Sequence, residues 1–180
     1  MDSPFMDTIA QGLGARKIRV VRFEFPYMER RRHDGKRRPP DGPAVLRSRW
    51  LEIVEGLGRA GDLVIGGKSM GGRIASMIAD EIGARGLVCL GYPFHPAGKP
   101  DKLRVAHLET IRTPTLILQG TRDALGNRAE IEGYRLSENV QVEFLEDGDH
   151  SFKPRVRSGR TEVENLQQAI DSVVSFVDRI

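Results

Sequence analysis

One stretch limits what this chain can become. Leu63-Val64-Ile65-Gly66-Gly67-Lys68-Ser69-Met70-Gly71-Gly72-Arg73 is a short apolar run broken by glycines around one serine, and Ile74-Ala75-Ser76-Met77-Ile78-Ala79 resumes as a helical pattern. The change of period predicts a strand, a sharp turn and a helix. Gly67-x-Ser69-x-Gly71 fits the nucleophile elbow, where strand and helix nearly collide and the positions flanking a strained serine carry almost no side chain. Ser69 Oγ would then stand above the sheet at the positive end of the following helix. Two other readings share these letters. Gly-Lys-Ser also ends phosphate-binding P-loops, but that motif needs a glycine where Asp62 stands and a flexible loop where Leu63-Val64-Ile65 reads as strand. A serine ahead of a helix is also an ordinary N-cap.

The rest of the chain weighs between these readings. With 180 residues, 39% of them hydrophobic and 29% charged, it suits one α/β domain over 1–180 with a proper core. No apolar stretch approaches the length of a membrane span and no signal-peptide layout opens the sequence, so a cytoplasmic protein with no membrane partner is expected. The single cysteine, Cys89, lies inside the apolar run 86–91 and reads as a small core residue. The net charge of +3 draws on Arg30-Arg31-Arg32-His33 and Lys36-Arg37-Arg38. These lie in a polar loop expected over 26–43, with Tyr27 its one aromatic, and read as a solvated face rather than a nucleic-acid site.

Asp2-Ser3-Pro4 predicts a helix start, and Phe5, Met6, Ile9 and Leu13 form its apolar stripe. Residues 17–25 alternate apolar and charged closely enough to predict a strand. A helix follows over 43–59, with Val45, Leu46, Trp50, Ile53, Val54 and Leu57 facing inward. Beyond the elbow come a strand at 87–90, a proline-rich loop, a short helical piece at 105–110, a buried-type strand at 115–120, a helix at 128–136 and a strand at 140–145. The last helix opens on the capping box Thr161-x-x-Glu164, with a stripe of Val163, Leu166, Ile170, Val173, Val174 and Val177. This alternation predicts a mostly parallel sheet with helices on both faces and function at the C-terminal ends of the strands.

Three polar residues fall at such ends: Ser69, Asp123 and His150, in the chain order expected of a hydrolase elbow fold. Nucleophilic acyl chemistry needs a hydroxyl, an imidazole to take and return its proton, and a carboxylate to hold the imidazole in one tautomer. Asp147 and Asp149 are alternative orienters, nearer to His150 in sequence. His33, His95 and His107 read as merely exposed. No metal-ligand spacing or dinucleotide fingerprint is present, and no cofactor is expected.

These same residues carry a resemblance. Gly66-Gly67-Lys68-Ser69-Met70-Gly71-Gly72-Arg73, with Arg22-Phe23-Glu24-Phe25-Pro26-Tyr27-Met28 before it and Gln119-Gly120-Thr121-Arg122-Asp123 and Asp147-Gly148-Asp149-His150-Ser151-Phe152 after it, resembles the small α/β hydrolases related to dienelactone hydrolases. The likeness covers nearly the whole chain. It implies the α/β-hydrolase fold, nucleophile, acid and base at Ser69, Asp123 and His150, an oxyanion donor at the Met70 amide, and a small ester or acyl substrate. It leaves open a non-catalytic scaffold or binding module on the same fold. The family pattern also places an apolar strand and a His-Gly-Ala-Gly-like loop ahead of a segment like Met1–Met6, the loop supplying a second oxyanion donor. That strand lies between those ending near Phe25 and Gly66. The expectation is therefore an N-terminally truncated sheet whose Met1 matches an internal methionine of the family. A homo-oligomer whose partner fills the gap stays open.

Overall fold

A computed structural model describes residues 3–180, so the expected contribution of Asp2 to the first helix start lies outside the described residues. Four strands, β1 (Val64–Lys68), β2 (Gly86–Leu90), β3 (Thr115–Gly120) and β4 (Val140–Leu145), pair in that order as a parallel sheet. β2 and β3 are buried along their whole length, as their unbroken apolar runs require of strands covered on both faces. Successive side chains serve opposite layers. Leu87, Cys89 and Ile117 join Ile65 in the core under α3 (Pro43–Leu57) and α4 (Met70–Ile82). Val88, Leu90, Leu116 and Leu118 pack with α1 (Pro4–Ala15) and α6 (Glu162–Arg179). The helix starts are those the sequence encodes. Ser3 Oγ accepts from the Met6 amide, and Thr161 and Glu164 satisfy each other's backbone N–H groups.

The first quarter of the chain departs from expectation. Residues 17–25 form no strand: a strand exists only through its ladder, and among the described residues this segment joins none, β1 pairing with β2 alone. The segment lies instead as irregular chain, anchored by Phe23 and Phe25. The Phe23 ring meets Trp50 edge-on at 4.6 Å. The polar loop expected over 26–43 begins as a helix, α2 (Pro26–Asp34). Proline occupies its first turn and Gly35, at φ 69°, closes it. Its basic residues are partly paired: Arg32 with Glu24, Arg30 with Asp41 and Arg38 with Asp34, while Glu29 reaches Arg49 on α3.

Two further helices are narrower or shorter than their patterns. On α3, Leu46, Trp50 and Val54 are buried while Val45 and Leu57 stay exposed. The helix expected over 128–136 is a single turn, α5 (Arg128–Ile131), started by an Asn127–Glu130 capping box. The piece expected at 105–110 is one 3-10 turn, Ala106–Glu109. Among the described residues no helix is long and apolar enough to cross a membrane.

Candidate active site

The turn from β1 into α4 has the strained geometry its letters suggest. Ser69 sits at φ 53°, ψ −118°, a region that side chains rarely adopt, and its hydroxyl caps none of the helix N–H groups. The N-cap reading therefore fails. The glycines act unequally. A Cβ on Gly67 would lie 3.1 Å from Gly71 C and one on Gly72 2.6 Å from Gly67 O, whereas one on Gly71 would meet nothing within 4 Å. The collision of strand and helix is thus relieved by Gly67 and Gly72 rather than by Gly71. Met70 opens α4, so its N–H is among the orphan donors of that helix start.

Asp123 and His150 arrive from the ends of β3 and β4. The 146–152 loop docks on the end of β3, where a Cβ on Gly120 would come within 2.3 Å of Asp149 O. That docking brings three distant stretches together. His150 Nδ1 donates to Asp123 Oδ2 at 2.7 Å, and His150 Nε2 lies 2.9 Å from Ser69 Oγ, placed to accept its proton. Asp123 is wholly buried and receives two further hydrogen bonds, from Leu125 N to Oδ1 and from Gln119 Nε2 to Oδ2. The alternative carboxylates are engaged elsewhere. Asp147 is clamped by Arg155 and Arg122, and the Arg155 hydrogen bonds hold its carboxyl down at about 2. Asp149 accepts from the amides of Ser151 and Lys153.

Some residues of the site were not anticipated. Gln119, fully buried at the end of β3, accepts from Tyr92 N and donates to Tyr92 O, Asp123 Oδ2 and Gly126 O. A glutamine inside an otherwise apolar strand was its signal in the sequence. Lys68, next to the serine, donates to the carbonyl of His150 and lies over the Phe5 and Phe152 rings at 5.1 and 5.9 Å. Burial lowers its amine to about 8 against the opposing pull of Asp123 and Asp149. Two histidines read as exposed are not. His95 is 3% exposed and holds Pro96 O with Nδ1. His107 is half-buried with Nε2 2.8 Å from Ser76 Oγ. Both belong to the 91–114 connection, which folds back so that His107 meets Ser76 on α4 and His95 approaches Glu130 on α5, a placement no local pattern announces. His33 is exposed as expected.

Lys68 makes stability depend on pH in a definite direction. Between about 8, where the folded chain loses this proton, and about 10.5, where the unfolded chain does, the unfolded state binds more protons. Stability contributed through Lys68 therefore rises with pH across that window, by about 2–3 kcal/mol. Urea unfolding at pH 7.5 and 10 is expected to show this rise in the wild type relative to Lys68→Met. A parallel pH dependence in the two proteins would contradict it.

Against known proteins, a family model described as an alpha/beta hydrolase domain matches residues 1–178. An alpha-beta serine hydrolase homologue from Coxiella burnetii superposes with a TM-score of 0.70 at 19% identity, covering 96% of this chain and 77% of that one. The esterase domain of a Rhodothermus marinus protein gives 0.65 at 15% identity, covering 97% and 79%. At such identities the two structures speak to the fold alone. With its sequence matched almost from end to end, the chain belongs to the α/β hydrolase domain family.

Proposed function

We propose that this chain is a serine hydrolase acting on a small ester or related acyl substrate, with Ser69 as nucleophile, His150 as base and then acid, and Asp123 as the carboxylate that orients it. The observation that carries the reading is the unbroken series Ser69 Oγ, His150 Nε2, His150 Nδ1 and Asp123 Oδ2, with contacts of 2.9 and 2.7 Å. In the first half-reaction Ser69 Oγ bonds to the acyl carbon as its proton passes to His150 Nε2, and the Met70 N–H faces the oxygen that becomes negative. The tetrahedral intermediate collapses, and the leaving group departs with the proton from His150. Water then repeats the sequence on the Ser69 ester and releases the acid. The closer likeness to dienelactone-hydrolase-related enzymes belongs to this proposal. It rests on the Gly66–Arg73 and Asp147–Phe152 segments.

A fluorophosphonate reacts readily with a serine activated in this way and spares ordinary serines. Intact-mass analysis is expected to show one adduct per chain, mapped to Ser69 by peptide sequencing, alongside turnover of short-chain p-nitrophenyl esters. A chain that takes no label and turns over no ester would instead be a hydrolase-like scaffold.

A further inference from the structure

The backbone that carries His150 is strained on both sides of it. Asp147 and Phe152 sit at φ 51° and 69°, in the left-handed region that favours glycine. Such conformations persist only where surrounding contacts hold them. The ends of the loop have theirs. Arg155 and Arg122 clamp Asp147, and Nδ2 of the buried Asn165 on α6 donates to Glu146 O at 3.1 Å and to Phe152 O at 2.7 Å. Between these anchors Asp149 accepts from the amides of Ser151 and Lys153. At His150 itself, one group among the described residues hydrogen-bonds the backbone: Lys68 Nζ, which donates to its carbonyl.

Lys68 reaches that carbonyl from the last position of β1, one residue ahead of Ser69. Its surroundings offer an ammonium little else. Nζ lies over the Phe5 and Phe152 rings, which meet each other edge-on at 5.2 Å, and among the described residues no carboxylate is in ion-pair contact with it. The titratable groups that face it are Asp123, from the end of β3, and Asp149 and His150, from the 146–152 loop. Gly91, at the end of β2, closes the remaining side. A Cβ there would stand 2.9 Å from His150 O, 3.2 Å from Lys68 Nζ and 3.3 Å from His150 Nδ1, so amine, carbonyl and ring are packed around one point. An apolar side chain would fill this space without giving up hydration, and the lowered amine shows that the charge costs the fold stability. A charge retained at that cost, with a single acceptor on the residue that faces the nucleophile, points to a use in function.

We propose that Lys68 is a positioning residue for His150. Its ammonium holds the His150 carbonyl, and the imidazole of that residue then meets Ser69 Oγ and Asp123 Oδ2 together. An ammonium suits the task because a charge-assisted hydrogen bond is about twice as strong as a neutral one. Since Lys68 and Ser69 are adjacent, one short piece of backbone sets both the nucleophile and the base it must reach. The consequence for rate rests on the hydrolase reading, and the positioning itself stands without it.

Two variants and one small molecule test this. Lys68→Met keeps the apolar stem and removes the ammonium. Lys68→Ala deletes Cγ, Cδ, Cε and Nζ and leaves a slot of the shape of propylamine. Each is expected to lower kcat on p-nitrophenyl acetate by about 100-fold with little change in KM. Added propylamine should speed fluorophosphonate labelling of Ser69 in Lys68→Ala by at least about tenfold. Propanol, of the same length without the charge, should not, and Lys68→Met, whose stem fills the slot, should not respond to the amine. The far-downfield proton resonance of His150 Nδ1–H, hydrogen-bonded to Asp123, reads the same positioning without any substrate. It is expected in the wild type, lost in both variants and regained by Lys68→Ala with propylamine. Wild-type kcat in both variants, a Lys68→Ala protein no more responsive to propylamine than to propanol, or a resonance absent from the wild type or unmoved in both variants overturns the positioning role. A resonance that depends on the ammonium in a chain that hydrolyses no ester and takes no label keeps that role and removes the hydrolase.

Discussion

Ser69→Ala is expected to lower ester turnover by about 10⁵–10⁶-fold, and Ser69→Gly to do the same while making the fold more stable by about 1 kcal/mol. The activity loss follows from removing the one oxygen that His150 Nε2 faces at 2.9 Å. The stability gain has a separate origin. At φ 53°, ψ −118° a Cβ is held in a sparsely populated region, at a cost of about 1–3 kcal/mol. Glycine has no Cβ, and its mirror-image equivalent at φ −53°, ψ 118° is ordinary extended backbone, so the strain is released there. The entropy that glycine loses on folding, about 0.5–1 kcal/mol, returns part of the gain. Alanine keeps the Cβ and hence the strain, so its stability should stay near that of wild type. Turnover of p-nitrophenyl acetate and urea unfolding of the three proteins check both halves. Wild-type rates in Ser69→Ala would end the hydrolase assignment, and a Ser69→Gly protein less stable than Ser69→Ala would show that the elbow stores no strain.

From residue 63 onward the fold was legible because two local signals agreed. Apolar runs too short for helices alternated with helical stripes, and turn residues separated them, so the strands fell where expected in β1 to β4. The site was legible for a related reason. Polar residues at the ends of buried strands have few structural uses, and three of them arrived in the order of one known chemistry. What failed was whatever depends on a neighbour. Residues 17–25 carry a strand's alternation, but alternation states only which face is buried, and among the described residues this segment joins no ladder. Helix α2 has no apolar stripe to announce it. Its proline start and Gly35 stop were visible, yet the ion pairs that steady it, Glu29 with Arg49 and Arg30 with Asp41, join residues far apart in the sequence.

The misread histidines carry the same lesson into the site. His107 meets Ser76 across 31 positions and His95 approaches Glu130 across 35, both through a connection without regular structure for most of its length. Such loops are placed by what they cover, and their composition resembles that of a mobile loop. Gln119 was open to inference, since an amide buried among leucines and isoleucines has to be fully hydrogen-bonded, and its partners then mark where polar groups converge.

Asp123→Asn is expected to lower kcat by about 10⁴-fold with little change in KM. The carboxylate accepts three hydrogen bonds and donates none: Oδ1 from Leu125 N at 2.8 Å, and Oδ2 from Gln119 Nε2 at 2.9 Å and His150 Nδ1 at 2.7 Å. An asparagine amide meets this ring of donors badly in either orientation. With its NH₂ toward Oδ2's place, it confronts the Gln119 amide and turns His150 into the tautomer whose Nε2 carries a proton and cannot accept one from Ser69. Turned over, it confronts the Leu125 N–H, and no negative charge remains to stabilise the imidazolium formed during attack. Gln119 cannot reorient to help, because its own oxygen is held by Tyr92 N. Asp147→Asn and Asp149→Asn provide the contrast. Neither carboxylate touches His150 in the structure, so each is expected to reduce kcat far less than Asp123→Asn under the same conditions. Steady-state kinetics on the three variants decide the matter, and a loss in either of the other two that equals or exceeds that of Asp123→Asn would transfer the orienting role to the 146–152 loop.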